Sequence, residues 1–141
     1  MNLEFIQDLW DKDSIIDNEL LHNESTKIPA LHAKYYKIYN NILTLKKAQE
    51  TQYKILKKEK WQYYTGKASP EVYADKPFDF KVLKADLDKY FDADADLIKC
   101  TAKIEYQQIM LEYLESILKI ISNRTYQIKN AIEWQRFTNG L

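Results

Sequence analysis

The chain has 141 residues, 30% of them charged, and its 21 basic side chains balance its 21 acidic ones. Because it has only two glycines, it cannot build a glycine-rich phosphate loop, which excludes nucleotide-hydrolysing and dinucleotide-binding folds. The longest stretch without a charge, residues 38–45, is far shorter than the ~18 apolar residues of a membrane span. The acidic N-terminus predicts no export signal.

The N-terminal segment, residues 1–27, is predicted to be a short amphipathic helix followed by an acidic connector. Leu3, Ile6 and Trp10 recur at helical spacing and give the helix an apolar face. Residues 1–26 hold seven acidic side chains against one lysine, a net charge of −6. This acidic surface is a candidate for contact with a protein partner.

The first long helix is predicted over about residues 28–65, within a segment of residues 28–67. Ser25 and Thr26 are suitable caps, and Gly66 is a left-handed stop. Apolar residues recur every three or four positions from Ile28 to Leu45, which is typical of a helix that packs lengthwise against other helices. We predict a loop over residues 66–79 and another short helix over 80–91. They make up most of a connecting segment of residues 68–92.

The second long helix is predicted over about residues 93–139, in a C-terminal segment of residues 93–141. Its apolar stripe is flanked by a second stripe through Ile109, Tyr113, Ile117 and Ile120, so the apolar arc is too broad for one partner helix. We expect a single subunit to have little else to cover it. Ser122-Asn123 is the predicted position of any kink or break.

A basic and aromatic patch is predicted at the distal end of the first long helix, where residues 46–67 carry a net charge of +5. Lysines and rings alternate on two adjoining flanks. Ammonium groups neutralise phosphates and ring faces stack unpaired bases, which favours a single-stranded nucleic acid as the ligand. The predicted contact residues are Lys54, Lys57, Lys58, Lys60, Trp61, Tyr64 and Lys67. The residues alone leave open that the lysines are merely solvated and the rings buried.

No other cluster has the composition of a catalytic or metal site. Asp92, Asp94 and Asp96 begin like a calcium loop but lack its sixth-position glycine and twelfth-position carboxylate. His22 and His32 have no neighbouring ligands for zinc, and Cys100 has no histidine near it in sequence. We therefore predict no enzyme activity, no cofactor and no metal.

One string within the basic patch resembles a known family. Lys58-Glu59-Lys60 followed by Tyr63-Tyr64-Thr65-Gly66 is similar to the Lys-Ala-Arg-x-x-Tyr-Tyr-Ser-Gly segment of the UvsY family, the recombination mediators of T-even-type bacteriophages. Length and further residues in matching order extend the similarity over nearly the whole chain. These residues are Ile16-Asp17, Ile128-Lys129, Arg136-Phe137 and Gly140.

The resemblance implies a non-catalytic mediator in the cytoplasm of the infected bacterium. It implies a ring- or barrel-like homo-oligomer of about six or seven subunits that binds single-stranded DNA. It also implies that this oligomer helps a RecA-like recombinase of the UvsX type to replace the phage single-stranded DNA-binding protein. The family's DNA-contacting lysine and arginine correspond to Lys58 and Lys60, so Lys60 loses the planar fork of arginine, and Trp61 replaces an aliphatic residue.

The C-terminal helix is the family's oligomerisation element, and its counterpart here is the broad apolar arc. The predicted contact residues are Leu111, Leu114, Ile117, Leu118, Ile121, Ile128 and Ile132. The alternative function is a coiled-coil scaffold or adaptor that binds only protein partners.

Overall fold

A computed structural model describes residues 1–140. This range is mainly helical and contains no β-strand. The predicted all-α fold with two long helices and several short ones is confirmed. Leu141, the last residue of the predicted C-terminal segment, lies outside the described residues. The helices are α1 (Leu3–Asp13), α2 (Leu21–Thr26), α3 (Ile28–Tyr64), α4 (Pro70–Asp75), α5 (Leu87–Asp92) and α6 (Ala95–Thr138), with a 3-10 turn at Lys84–Asp86.

The short helices differ from prediction more than the long ones do. Helix α4 lies inside the predicted loop, where Pro70 occupies the first helical turn without loss of a needed hydrogen bond. The helix expected over residues 80–91 is reduced to the 3-10 turn and α5. Helix α6 runs without a break through Ser122 and Asn123, and the Ser122 hydroxyl donates to the Leu118 carbonyl in its own helix.

The chain divides into two compact units. One comprises residues Met1–Leu43 together with the chain from Ile109 onward, and the other comprises Thr44–Gln108. We call them the terminal unit and the central unit.

The terminal unit has a core built from α1, α3 and α6. Trp10 and Tyr35 meet edge to face with ring centroids 5.4 Å apart. Leu114 and Ile121 on α6 are 0% exposed in this core. Helices α1 and α3 thus cover much of the α6 apolar arc, contrary to the expectation that one subunit has little to cover it.

Polar contacts fix α1 on this core. The Tyr35 hydroxyl donates to the Asp13 carboxylate at 2.8 Å, and Lys34 forms an ion pair with the same group. Burial acts to raise the pKa of Asp13, but the hydrogen bonds from Lys34 and Tyr35 hold it below its ordinary value. The buried guanidinium of Arg124 donates to the carbonyls of Asp13 and Ser14 at 3.0 and 3.1 Å, where α1 ends.

Candidate nucleic-acid interface

The basic patch predicted from sequence lies in the central unit, on the distal part of α3 and the residues just after it. Lys54, Lys57, Lys58 and Lys67 are exposed, as is Trp61, with 38% of its surface accessible. Four ammonium groups and an indole ring are therefore available to solvent on this segment. Such a surface combines the charge and the stacking face that a single strand requires.

Gly66 places Lys67 against Trp61. The glycine has φ 76°, a left-handed conformation that costs other residues about 1–2 kcal/mol. The chain turns back there, and the Lys67 backbone N–H donates to the Gln62 carbonyl at 2.8 Å. The Lys67 ammonium then lies 4.3 Å from the centroid of the Trp61 ring, so a cation and a stacking face share one position.

Lys60 is engaged inside the protein. Its ammonium lies 2.7 Å from an Asp96 carboxylate oxygen and 3.3 Å from an Asp94 oxygen, and only 17% of its side chain is exposed. Burial acts to lower the pKa of Lys60, but hydrogen bonds to Asp96 and Asp94 raise it above its ordinary value. Lys60 therefore stays charged, with that charge already compensated by two carboxylates.

Asp94 joins the end of α3 to the start of α6. Its side chain is 4% exposed, and it accepts the Tyr64 hydroxyl at 2.6 Å and the backbone N–H groups of Asp96 and Leu97, both at 3.0 Å. Burial acts to raise the pKa of Asp94, but the hydrogen bonds from Tyr64, Leu97 and Lys60 keep it lowered. In the sequence, Asp94 stands out only as part of an incomplete calcium-loop pattern, which gives no sign of this link to the patch.

Tyr64 contributes its ring to an aromatic cluster in the central unit. Its ring centroid lies 5.2 Å from that of Phe78 and 5.5 Å from that of Tyr90, with Tyr63 and Phe91 also in contact. Burial and the hydrogen bond to Asp94 raise the pKa of the Tyr64 hydroxyl. One signal in the sequence indicates this cluster, since seven aromatic residues lie from position 63 to position 91.

The predicted oligomerisation residues lie in the terminal unit and differ in how exposed they are. Five are buried within the chain, Leu118 is partly buried, and Ile132 is exposed. The buried residues are Leu111, Leu114, Ile117, Ile121 and Ile128. Trp134 and Phe137, which the prediction did not include, are 64% and 75% exposed, and their rings stack with centroids 5.8 Å apart.

Over residues 1–140, no group of three or more His, Cys, Asp or Glu side chains is placed to hold a metal ion. Within the same range, no helix is both long and apolar enough to cross a bilayer. Cys100 is buried, and its sulfur accepts a hydrogen bond from the Gln49 amide at 3.2 Å.

Comparison with known proteins gives the family. The model of the family described as "Recombination, repair and ssDNA binding protein UvsY" matches residues 9–141. The recombination protein uvsY of Enterobacteria phage T4 is 25% identical over 140 residues, which cover 99% of both chains.

Solved structures of the bacteriophage T4 recombination mediator protein UvsY have the same fold. One crystal form gives a TM-score of 0.86 at 25% identity and covers 99% of this chain and 98% of that one. A second gives 0.87 at 26% identity, with 97% and 99% covered. The resemblance found in the basic patch is confirmed, and the chain belongs to the UvsY family of recombination, repair and single-stranded DNA-binding proteins.

Proposed function

We propose that the chain is a recombination mediator that binds single-stranded DNA as a homo-oligomer. In this role it promotes loading of a RecA-like recombinase in place of the phage single-stranded DNA-binding protein, in the cytoplasm of the infected host. The observation that carries the proposal is the exposed surface of Lys54, Lys57, Lys58 and Lys67 around Trp61. The family description, which names recombination, repair and DNA binding, supports it.

The predicted contact residues take two roles in this proposal. Lys54, Lys57, Lys58 and Lys67 contact phosphates, and Trp61 stacks on a base once Lys67 moves from its ring toward the strand. Lys60 and Tyr64 hold the end of α3 through Asp94, and Lys60 reaches a phosphate only by exchanging a carboxylate for it.

Assembly raises the affinity with which the basic patches together bind single-stranded DNA. A few lysines bind single strands poorly at physiological salt, whereas linked copies act at a high effective concentration. We propose that α6 mediates assembly into a closed ring of about six or seven subunits. Its exposed residues Ile132, Trp134 and Phe137 are suited to contact a second copy, since large exposed apolar side chains mark interaction surfaces.

The mechanism follows from repetition of the patch. A strand held along successive patches is extended, and this weakens the grip of the resident single-stranded DNA-binding protein. The recombinase then nucleates on the prepared strand. The protein's own part in this is binding and positioning, with no bond made or broken.

A titration of fluorescent oligodeoxythymidylate at several salt concentrations tests the proposal. We expect Lys54→Ala with Lys58→Ala to weaken binding about tenfold and to reduce the salt slope by about 1.4, because each phosphate contact to a single strand contributes about 0.7. The matched control is Lys119→Ala with Lys129→Ala, which removes two exposed lysines of the terminal unit. If the two variants have equal affinity and equal salt slope, the basic patch is not the DNA-binding surface. If the unmodified chain forms an oligomer but does not bind DNA, the adaptor function is favoured.

A further inference from the structure

A preformed groove lies in the central unit between the distal part of α3 and α4. Its volume is about 640 Å³, within the range of sites that hold several side chains of a ligand. Leu56 and Tyr63 of α3 and Val72 of α4 line it, and Val72 is 41% exposed. The groove therefore offers an apolar contact surface to solvent.

The wall formed by α4 is held in place by two tyrosines. The Tyr73 hydroxyl donates to the Tyr63 carbonyl at 2.8 Å and accepts the Ala68 backbone N–H at 3.3 Å. The rings of Tyr63 and Tyr73 stack at 16° with centroids 5.6 Å apart, and the Tyr63 hydroxyl donates to the Lys76 carbonyl. A ligand meets a shaped surface and loses little free energy in ordering it.

The rim of this groove is acidic although the groove adjoins the basic patch. Four carboxylates line it against two ammonium groups. The carboxylates belong to Glu59, Glu71, Asp75 and Asp96, and the ammonium groups to Lys60 and Lys76. Because Asp94 and Asp96 already compensate Lys60, the groove as a whole is negative and repels a nucleic acid.

We infer that this groove docks a protein segment in which an aliphatic side chain is flanked by lysine or arginine. The apolar lining fits the aliphatic group, and the carboxylates of the rim attract the flanking cations. Glu59 follows Lys58 directly in α3, so the groove and the DNA-contacting patch occupy adjoining faces of the helix.

The occupant is the recombinase, an assignment that rests on the proposed function. A mediator must hold the recombinase beside the strand and must displace the single-stranded DNA-binding protein from it. A docking groove next to the basic patch therefore suits the recombinase. The recombinase then reaches the strand from a fixed position on the mediator, at a raised effective concentration.

The test measures binding of the purified recombinase of the same phage to the full-length chain by biolayer interferometry, without DNA. Glu71→Lys with Asp75→Lys reverses two rim charges, and we expect it to weaken recombinase binding at least about tenfold. The matched control, Asp79→Lys with Asp88→Lys, makes the same charge change at exposed positions outside the groove and is expected to stay within about twofold of the unmodified chain.

A milder pair of substitutions and a second ligand, oligodeoxythymidylate, separate a failure of the groove assignment from a failure of the proposed function. Glu71→Gln with Asp75→Asn is expected to weaken recombinase binding by an intermediate factor. Both groove variants are expected to bind oligodeoxythymidylate at least as tightly as the unmodified chain, since they remove negative charge. Recombinase binding equal to that of the control overturns the groove assignment, whereas failure of the unmodified chain to bind oligodeoxythymidylate overturns the proposed function separately.

Discussion

Asp94 has a central place in the local structure around the basic patch. Its carboxylate is almost fully buried and has Lys60, Tyr64 and two backbone N–H groups as partners. A buried charge with a full set of partners is tolerated, but removing it leaves the Tyr64 hydroxyl and two backbone N–H groups without their acceptor and leaves Lys60 with Asp96 alone. Asp94 is therefore one of the contacts that fix the distal end of α3 relative to the start of α6, together with the Lys60–Asp96 ion pair.

We expect Asp94→Ala to lower the free energy of unfolding by about 3 kcal/mol, because the Tyr64 hydroxyl and the α6 N-terminus lose their acceptor and Lys60 loses one of its two carboxylate partners. Urea unfolding followed by circular dichroism, at one fixed protein concentration, measures this. Asp92→Ala, which removes an exposed carboxylate two residues away, is the control and is expected to cost less than about 0.5 kcal/mol. Equal unfolding midpoints for the two variants would contradict the role of Asp94.

The stability of the chain should fall in acid for the same reason. The pKa values of Asp13, Asp94 and Asp96 are all below the ordinary 3.8, so these groups stabilise the fold at neutral pH. As pH falls below 3.8, the unfolded chain takes up protons first, and stability is lost progressively through the lower folded-state pKa values. We expect the urea midpoint to be flat from pH 7 to about pH 5 and then to decrease, with a smaller decrease in Asp94→Asn.

We expect Asp96 to compete with DNA for Lys60. Its carboxylate is 53% exposed and holds the ammonium at 2.7 Å, where a phosphate oxygen is the natural substitute. We expect Asp96→Asn to tighten binding of oligodeoxythymidylate about threefold at low salt, and to do so only while Lys60 is present. The check is a double-mutant cycle with Lys60→Ala, with Asp92→Asn as a control for general charge. An equal gain in the Lys60→Ala background would show that Asp96 acts only through net charge.

At the scale of elements, the end of α3 depends on the backbone conformation of one glycine. Gly66 ends α3 in a left-handed conformation, and a methyl group added there meets nothing within 4 Å. The cost of Gly66→Ala is therefore one of backbone conformation alone.

We expect Gly66→Ala to lower the free energy of unfolding by about 1–2 kcal/mol, whereas Gly66→Asn costs less because asparagine tolerates the left-handed region. Thermal unfolding of both variants measures the difference. An alanine variant as stable as asparagine would show that the turn relaxes without the left-handed residue.

The long helices were predictable and the packing of their side chains was not. Three-four spacing and the rarity of glycine and proline fix α3 and α6 to within a few residues. Periodicity shows that Leu114 is apolar and faces a partner, but not whether that partner is α1 and α3 of the same chain or another subunit. The spacing likewise placed Lys60 on a basic flank, while its two carboxylate partners lie more than thirty residues away and are brought close only by the fold.

At the scale of the whole molecule, assembly and folding are expected to depend on different parts of α6. Trp134 and Phe137 are exposed, so Trp134→Ala with Phe137→Ala should reduce the mass of the particle in sedimentation velocity while leaving helix content unchanged. Leu114→Ala, in the core of the terminal unit, should lower the free energy of unfolding by about 2–5 kcal/mol. An aromatic variant that stays fully assembled would place the subunit contact elsewhere on the chain.

Arg124 has a consequence for substitutions at the end of α1. Its guanidinium donates hydrogen bonds to the main-chain carbonyls of Asp13 and Ser14. The Ser14 hydroxyl takes no part in this contact, since it donates to the Asp11 carbonyl. Every amino acid supplies a carbonyl oxygen, so exchanging Ser14 for another residue keeps this acceptor as long as the backbone stays in place. The Nη2 group of Arg124 donates both hydrogen bonds, so loss of the guanidinium deprives both carbonyls of this donor.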